Sequence, residues 1–164
     1  MLESQSRTLT VAIGDMKIGY GDDVLVTYAL GSCVGITMYD PILRLGALVH
    51  ILLPEHMVGR GLETMKYADT AIPATLEQLQ ERGFSRARAV VKIAGGARMF
   101  ANTKTVNFTD IGYRNVEAVH QALQKSGLTI RNEDTGGTAP RTMTMNLKDG
   151  SVMIRAAGAQ PKYL

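Results

Sequence analysis

Val24-Leu25-Val26-Thr27-Tyr28-Ala29-Leu30, Gly31-Ser32-Cys33 and Val34-Gly35-Ile36-Thr37-Met38-Tyr39 follow one another without a gap. Two runs rich in β-branched and apolar side chains flank a three-residue break, and such runs favour extended backbone. Asp40-Pro41 then marks a turn. Leu45 to Leu53 is a third apolar run of strand length, closed by Pro54. Together the runs predict a strand meander with Cys33 and His50 on neighbouring strands.

Working outward, residues 1–8 read as a flexible tail and Leu9 to Ile13 as a short strand. Gly14 to Asp23 holds three glycines and reads as loop. His56 to Glu63 is a glycine-containing loop. Met65 to Arg82 predicts a helix, with Ala68, Ile72, Leu76 and Leu79 on one face and Gly83 as its stop. Pro73 should kink that helix or leave one backbone carbonyl free. Arg88 to Ala94 reads as a strand followed by Gly95-Gly96. A second helix is expected over Gly112 to Ser126, burying Val116, Val119 and Leu123, with Gly127 as its stop. Leu128 to Asn132, Arg141 to Leu147 and Val152 to Ala156 read as strands, the last two joined by an Asp149-Gly150 turn. The expected fold class is α/β (α+β): a layered sandwich of mixed, mostly antiparallel β-sheets packed by two helices, with residues 9–164 as one domain.

A chain of 164 residues is long enough to bury a sizeable core without metal or disulfide. With one cysteine no internal disulfide can form, and a lone thiol fits a reducing compartment, so a cytoplasmic location is expected. Met1 to Thr8 has no apolar signal core, and Leu45 to Pro54 is too short to span a bilayer. The net charge of +3 comes without a Lys/Arg run, and the aromatics are only three Phe and six Tyr. A nucleic-acid partner is therefore not expected, nor direct membrane insertion.

The chemistry centres on Cys33. Flanking glycines let the backbone turn sharply and approach a ligand closely. They also free N–H groups near Gly31, Ser32 and Val34 to hold an oxyanion while the sulfur attacks an amide carbon. A thiol needs a basic or cationic neighbour. His50 lies inside Leu48-Val49-His50-Ile51-Leu52 and must find a partner there. His56 falls in a loop, and His120 reads as a rim residue of the second helix. Plainer readings stand beside this one. A single cysteine often serves as a small buried hydrophobe, and a strand histidine as a satisfied core residue. A metal site from Cys33, His50 and His56 offers three ligands at no recognised spacing. A Gly-x-Ser-x-Gly nucleophile elbow is absent.

The ordered motifs resemble those of the CheD family of chemoreceptor glutamine deamidases. They are Leu30-Gly31-Ser32-Cys33-Val34-Gly35, Tyr39-Asp40-Pro41, His50 with Leu53-Pro54, and Tyr67-Ala68-Asp69-Thr70-Ala71-Ile72-Pro73. Further on come Lys92-Ile93-Ala94-Gly95-Gly96-Ala97-Arg98-Met99-Phe100, Ile111-Gly112-Tyr113-Arg114-Asn115, and Asp134-Thr135-Gly136-Gly137 with Arg141. The resemblance spans roughly residues 9–157. It implies a Cys-His-Thr triad of Cys33, His50 and Thr27, with Thr27 accepting from the far imidazole nitrogen through its hydroxyl or carbonyl. It implies conversion of receptor glutamines to glutamate through a thioester, without a cofactor, and a protein-glutamine glutaminase as the enzyme class. It implies chemoreceptors and a CheC-type phosphatase as partners, and a sandwich akin to a deamidating bacterial toxin. A module that mainly regulates the phosphatase, or a small-molecule amidase, are the competing readings; a monomer is the default. The chain departs from the family pattern at Thr138-Ala139-Pro140, where Gly-Arg is usually approached differently, at Leu45-Gly46 and at Ala94. On this reading Cys33 should titrate below an ordinary thiol through His50.

Overall fold

The computed structural model describes residues 5–57, 63–99 and 110–164. Ten strands and two helices occur among them. The strands are β1 (Thr8–Thr10), β2 (Met16–Tyr20), β3 (Val24–Leu30), β4 (Val34–Asp40), β5 (Leu45–Ile51), β6 (Val90–Gly95), β7 (Ile130–Thr135), β8 (Arg141–Asn146), β9 (Ser151–Ala156) and β10 (Lys162–Tyr163). The helices are α1 (Ala68–Gln80) and α2 (Ile111–Lys125).

Two five-stranded sheets form, in the orders β1-β3-β8-β9-β10 and β2-β5-β4-β6-β7. Only β1 with β3 and β6 with β7 run parallel. The architecture is the expected α+β sandwich of mixed sheets. Every residue of β4 and β5 is buried, as a strand covered on both faces must be. Period-two alternation divides their side chains between two cores. Ile36, Met38, Val49 and Ile51 pack with Ile72, Leu76, Leu79 and Leu123 of the helices. Tyr39 and Leu48 face Leu25, Met143 and Met145 of the other sheet, and Cys33 lies in this inter-sheet core. The helices thus cover one face of the second sheet, and the first sheet covers the other.

Several boundaries differ from the sequence reading for identifiable reasons. Met16–Tyr20 is a strand, not loop: it pairs antiparallel with β5 at the sheet edge, where half-burial weakens its apolar pattern. Arg7 and Thr8, read as tail, are held in place. The Arg7 guanidinium bonds Asp23 at 2.7 Å, and Thr8 opens β1. Thr64–Lys66 forms a separate 3₁₀ turn before α1, so the helix begins at Ala68. Pro73 sits inside α1, leaving the Asp69 carbonyl without its i+4 donor. In α2, Val119 and Leu123 are buried and Val116 only partly so. Gly127, at φ +71°, ends that helix, and the Leu128 N–H returns to the Leu123 carbonyl. Lys162–Tyr163 adds a strand that was not anticipated. Residues 1–4, residues 58–62 of the expected loop and Phe100 of the quoted motif lie outside the described residues.

At the far end of β4, Asp40 is fully buried. It accepts from the Arg88 guanidinium at 2.7 and 3.0 Å and from the backbone N–H groups of Ile42, Leu43 and Ser85. These donors hold its carboxyl below the usual range. Among the described residues no helix is long and apolar enough to cross a membrane.

Candidate active site

Thr27 and His50 belong to different sheets and meet between them. Thr27 shares the inward face of β3 with Leu25, and His50 shares the inward face of β5 with Leu48. Their side chains approach to 2.7 Å, Thr27 Oγ1 to His50 Nδ1. Both residues are fully buried. Just past Thr27 the β3–β8 register breaks, and Ala29 takes φ +55°. That bulge lets β3 leave its ladder before the Gly31-Ser32-Cys33 turn.

The hydrogen-bond pattern fixes the imidazole tautomer. Thr27 Oγ1 also lies 2.7 Å from the Val11 carbonyl oxygen, which can only accept. The single hydroxyl proton goes to Val11, so Oγ1 must accept from Nδ1–H of His50. In the neutral ring Nε2 is then the unprotonated nitrogen. Nε2 is buried and has no hydrogen-bond partner among the described residues.

Cys33 stands just before the adjacent strand, β4, in the inter-sheet core. Gly35, two residues beyond it, sits opposite His50 in the β4–β5 register. The turn is pinned by its carbonyls. Gly31 O accepts from Ala97 N–H at 2.7 Å and Cys33 O from Gly96 N–H at 2.8 Å. Ser32 O accepts from Asn115 Nδ2 at 2.9 Å. In a trans peptide the N–H opposes the C=O. The N–H groups of Ser32, Cys33 and Val34 therefore face away from those three donors. Gly95 has φ +115°, and a Cβ there would collide with the Cys33 carbonyl oxygen. Only glycine allows β6 to close on the turn.

Electrostatics corrects one expectation. Burial pushes the His50 imidazole down from 6.5 to about 4. Burial also pushes the Cys33 thiol up, its own N–H acting weakly in the opposite sense. Desolvation disfavours both charged forms. The resting site therefore holds a neutral thiol and a neutral imidazole, not a thiol lowered through His50. Cys33 retains 6% exposure and His50 none.

The other histidines lie elsewhere. His120 pairs with Glu133 at 3.0 Å on the rim of α2. His56 packs edge-on to Tyr67, ring centres 5.1 Å apart. Among the described residues no group of three His, Cys, Asp or Glu side chains is arranged to hold a metal ion. Asn115 is the residue that sequence reasoning passed over. It is a fully buried polar side chain four residues before Val119 and eight before Leu123, on the buried stripe of α2. A polar residue interrupting an apolar stripe was the available signal.

Fold and site together define a class: a two-sheet α+β sandwich with a cysteine, a histidine and a threonine gathered between the sheets. A family model described as CheD chemotactic sensory transduction matches residues 52–156. Relatives named probable chemoreceptor glutamine deamidase CheD align over nearly the whole chain. The one from Symbiobacterium thermophilum is 43% identical over 94% of this chain and 96% of its own length. That from Methanococcus vannielii is 45% identical over 90% and 94%. That from Pyrococcus abyssi is 41% identical over 92% of each. The chain belongs to the CheD family.

Proposed function

We propose that this protein is a chemoreceptor glutamine deamidase, a protein-glutamine glutaminase with Cys33 as its nucleophile. The observation that carries the reading is the arrangement of His50. Its Nδ1–H is directed to Thr27, its Nε2 carries no proton and finds no partner among the described residues, and the residue lies opposite Gly35, two positions past Cys33. Such a nitrogen is a base waiting for a proton. The names of the full-length relatives point to the same substrate.

The Cys33 sulfur attacks the side-chain amide carbon of a receptor glutamine as Nε2 takes the thiol proton. The negative charge formed on the amide oxygen is held by N–H groups of the turn, with Ser32 and Cys33 the best placed; Gly31 and Val34 frame them. The tetrahedral species expels ammonia, which leaves with the proton from Nε2. Water, deprotonated by the same nitrogen, then attacks the thioester. Glutamate is released and the thiol restored. No step calls for a cofactor. Because both groups are neutral at rest, the charge pair forms only as the bond forms. Thr27 supports the imidazolium less than a carboxylate would, which a thiol nucleophile tolerates. Work in the cytoplasm on receptor helices, and binding of a CheC-type phosphatase, complete the proposal on the strength of family resemblance.

The test is incubation with a chemoreceptor cytoplasmic fragment, followed by mass spectrometry of its glutamines. Glutamine-to-glutamate conversion by the wild type and none by Cys33→Ala is expected. Equal conversion by both removes the thiol from the mechanism. Free glutamine reacting as fast as the fragment removes the protein substrate.

A further inference from the structure

We propose that Asn115 is a positioning residue that sets the spacing of Cys33 and His50 by holding the Ser32 and Leu52 carbonyls together. Its Nδ2 donates to Ser32 O at 2.9 Å and to Leu52 O at 3.0 Å. Ser32 immediately precedes Cys33, and Leu52 follows His50 by two residues. One amide nitrogen thus ties the approach to the nucleophile to the exit from the base. Both of its protons are used, and the amide cannot be reversed, because Oδ1 would then face two carbonyl oxygens.

Oδ1 itself is buried without a hydrogen-bond partner among the described residues. The fold therefore accepts an unmatched acceptor in the packed face of a helix, where an apolar side chain would leave none. What the asparagine supplies in return is the two-carbonyl bridge. The helix that carries it is seated firmly. Gly112 lies so close to the Gly96 and Ala97 carbonyls that no Cβ would fit. Gly96 and Ala97 are the residues whose N–H groups hold Cys33 O and Gly31 O. One helix and its seat thereby fix all three carbonyls of the nucleophile turn. Among the described residues both hydrogen bonds of the Asn115 side chain go to backbone carbonyls, so it acts on the reaction through Cys33 and His50.

The inference rests on the thiol reading above, and its test separates the two. Asn115→Ala and Asn115→Ser are compared with wild type on the receptor fragment, with circular dichroism confirming that each is folded at the assay temperature. A misplacement near 1 Å lowers turnover roughly 100-fold, so Asn115→Ala should lose kcat by about that factor. KM should stay within about twofold, and Asn115→Ser, with one donor, should fall between. An unchanged kcat overturns the proposal, as does a loss confined to KM. The second readout is iodoacetamide alkylation of Cys33, which needs no receptor. His50→Ala should slow alkylation in the wild-type background and add little in the Asn115→Ala background, since residues acting as one unit are not additive. Additive losses, or no effect of His50→Ala at all, overturn it. Failure of both Asn115 variants to fold assigns the residue to the fold and overturns it as well. Should the wild type leave the receptor unmodified, the substrate reading falls and the alkylation cycle still decides the role of Asn115.

Discussion

Thr27 has one proton to give, and the Val11 carbonyl takes it. Everything about His50 follows from that allocation. Thr27→Val keeps the shape but removes the acceptor of Nδ1–H, freeing the ring to turn and change tautomer. Loss of the outer partner that orients a metal-bound histidine typically lowers activity 10- to 100-fold, and by analogy a kcat reduction of about that size is expected on the receptor fragment. Thr27→Ser should stay near wild type. Burial also makes His50 a reporter of stability. Its folded value near 4 lies below its ordinary 6.5, so the folded state binds fewer protons than the unfolded chain at intermediate pH. The stability held above pH 6.5 is lost progressively as pH falls toward 4, amounting to about 2 kcal/mol between pH 7 and pH 5. Urea unfolding at those two pH values measures it, and His50→Gln should remove most of the difference.

At the scale of elements, the site depends on β6 closing against the nucleophile turn. Gly95→Ala places a Cβ against the Cys33 carbonyl at a φ that other residues rarely adopt. A strained backbone position costs about 1–3 kcal/mol, so a comparable drop in stability is expected by urea unfolding, with loss of deamidation. The elements nearest Cys33 were legible in the sequence because β3, β4 and β5 carry dense apolar runs bounded by Gly31, Asp40-Pro41 and Pro54. Strand β2 was hidden because an edge strand buries only part of one face, and Gly19 reads as a loop residue even where Leu147 packs tightly above it. The start of α1 was misplaced because the apolar spacing continues back through Met65, which belongs to the preceding 3₁₀ turn. Cys33 and His50 could be singled out locally, one by its glycines and the other by its apolar neighbours. The contact of Thr27 with His50 could not be read from spacing, since it depends on how two sheets stack; only family resemblance pointed to it. Asn115 was quoted within a motif without a role, because its partners Ser32 and Leu52 are distant in sequence.

Across the whole molecule, the two sheets divide the labour. The first sheet supplies Thr27, the hydrogen-bond partner of His50, and the second supplies His50 and the strand that Cys33 precedes. The helices cover the opposite face of the second sheet, and α2 reaches the turn through Asn115. The proposed reacting groups thus sit where three layers converge, buried enough to be neutral at rest. In the mechanism proposed above, charge appears only with the substrate. The most direct measurement is deamidation of the receptor fragment in the presence of hydroxylamine, which intercepts thioesters. Wild-type protein should convert target glutamines partly to glutamyl hydroxamate, and Cys33→Ala should yield neither hydroxamate nor glutamate. Glutamate formed at the wild-type rate by Cys33→Ala, with no Cys33-dependent hydroxamate from the wild type, would contradict the account.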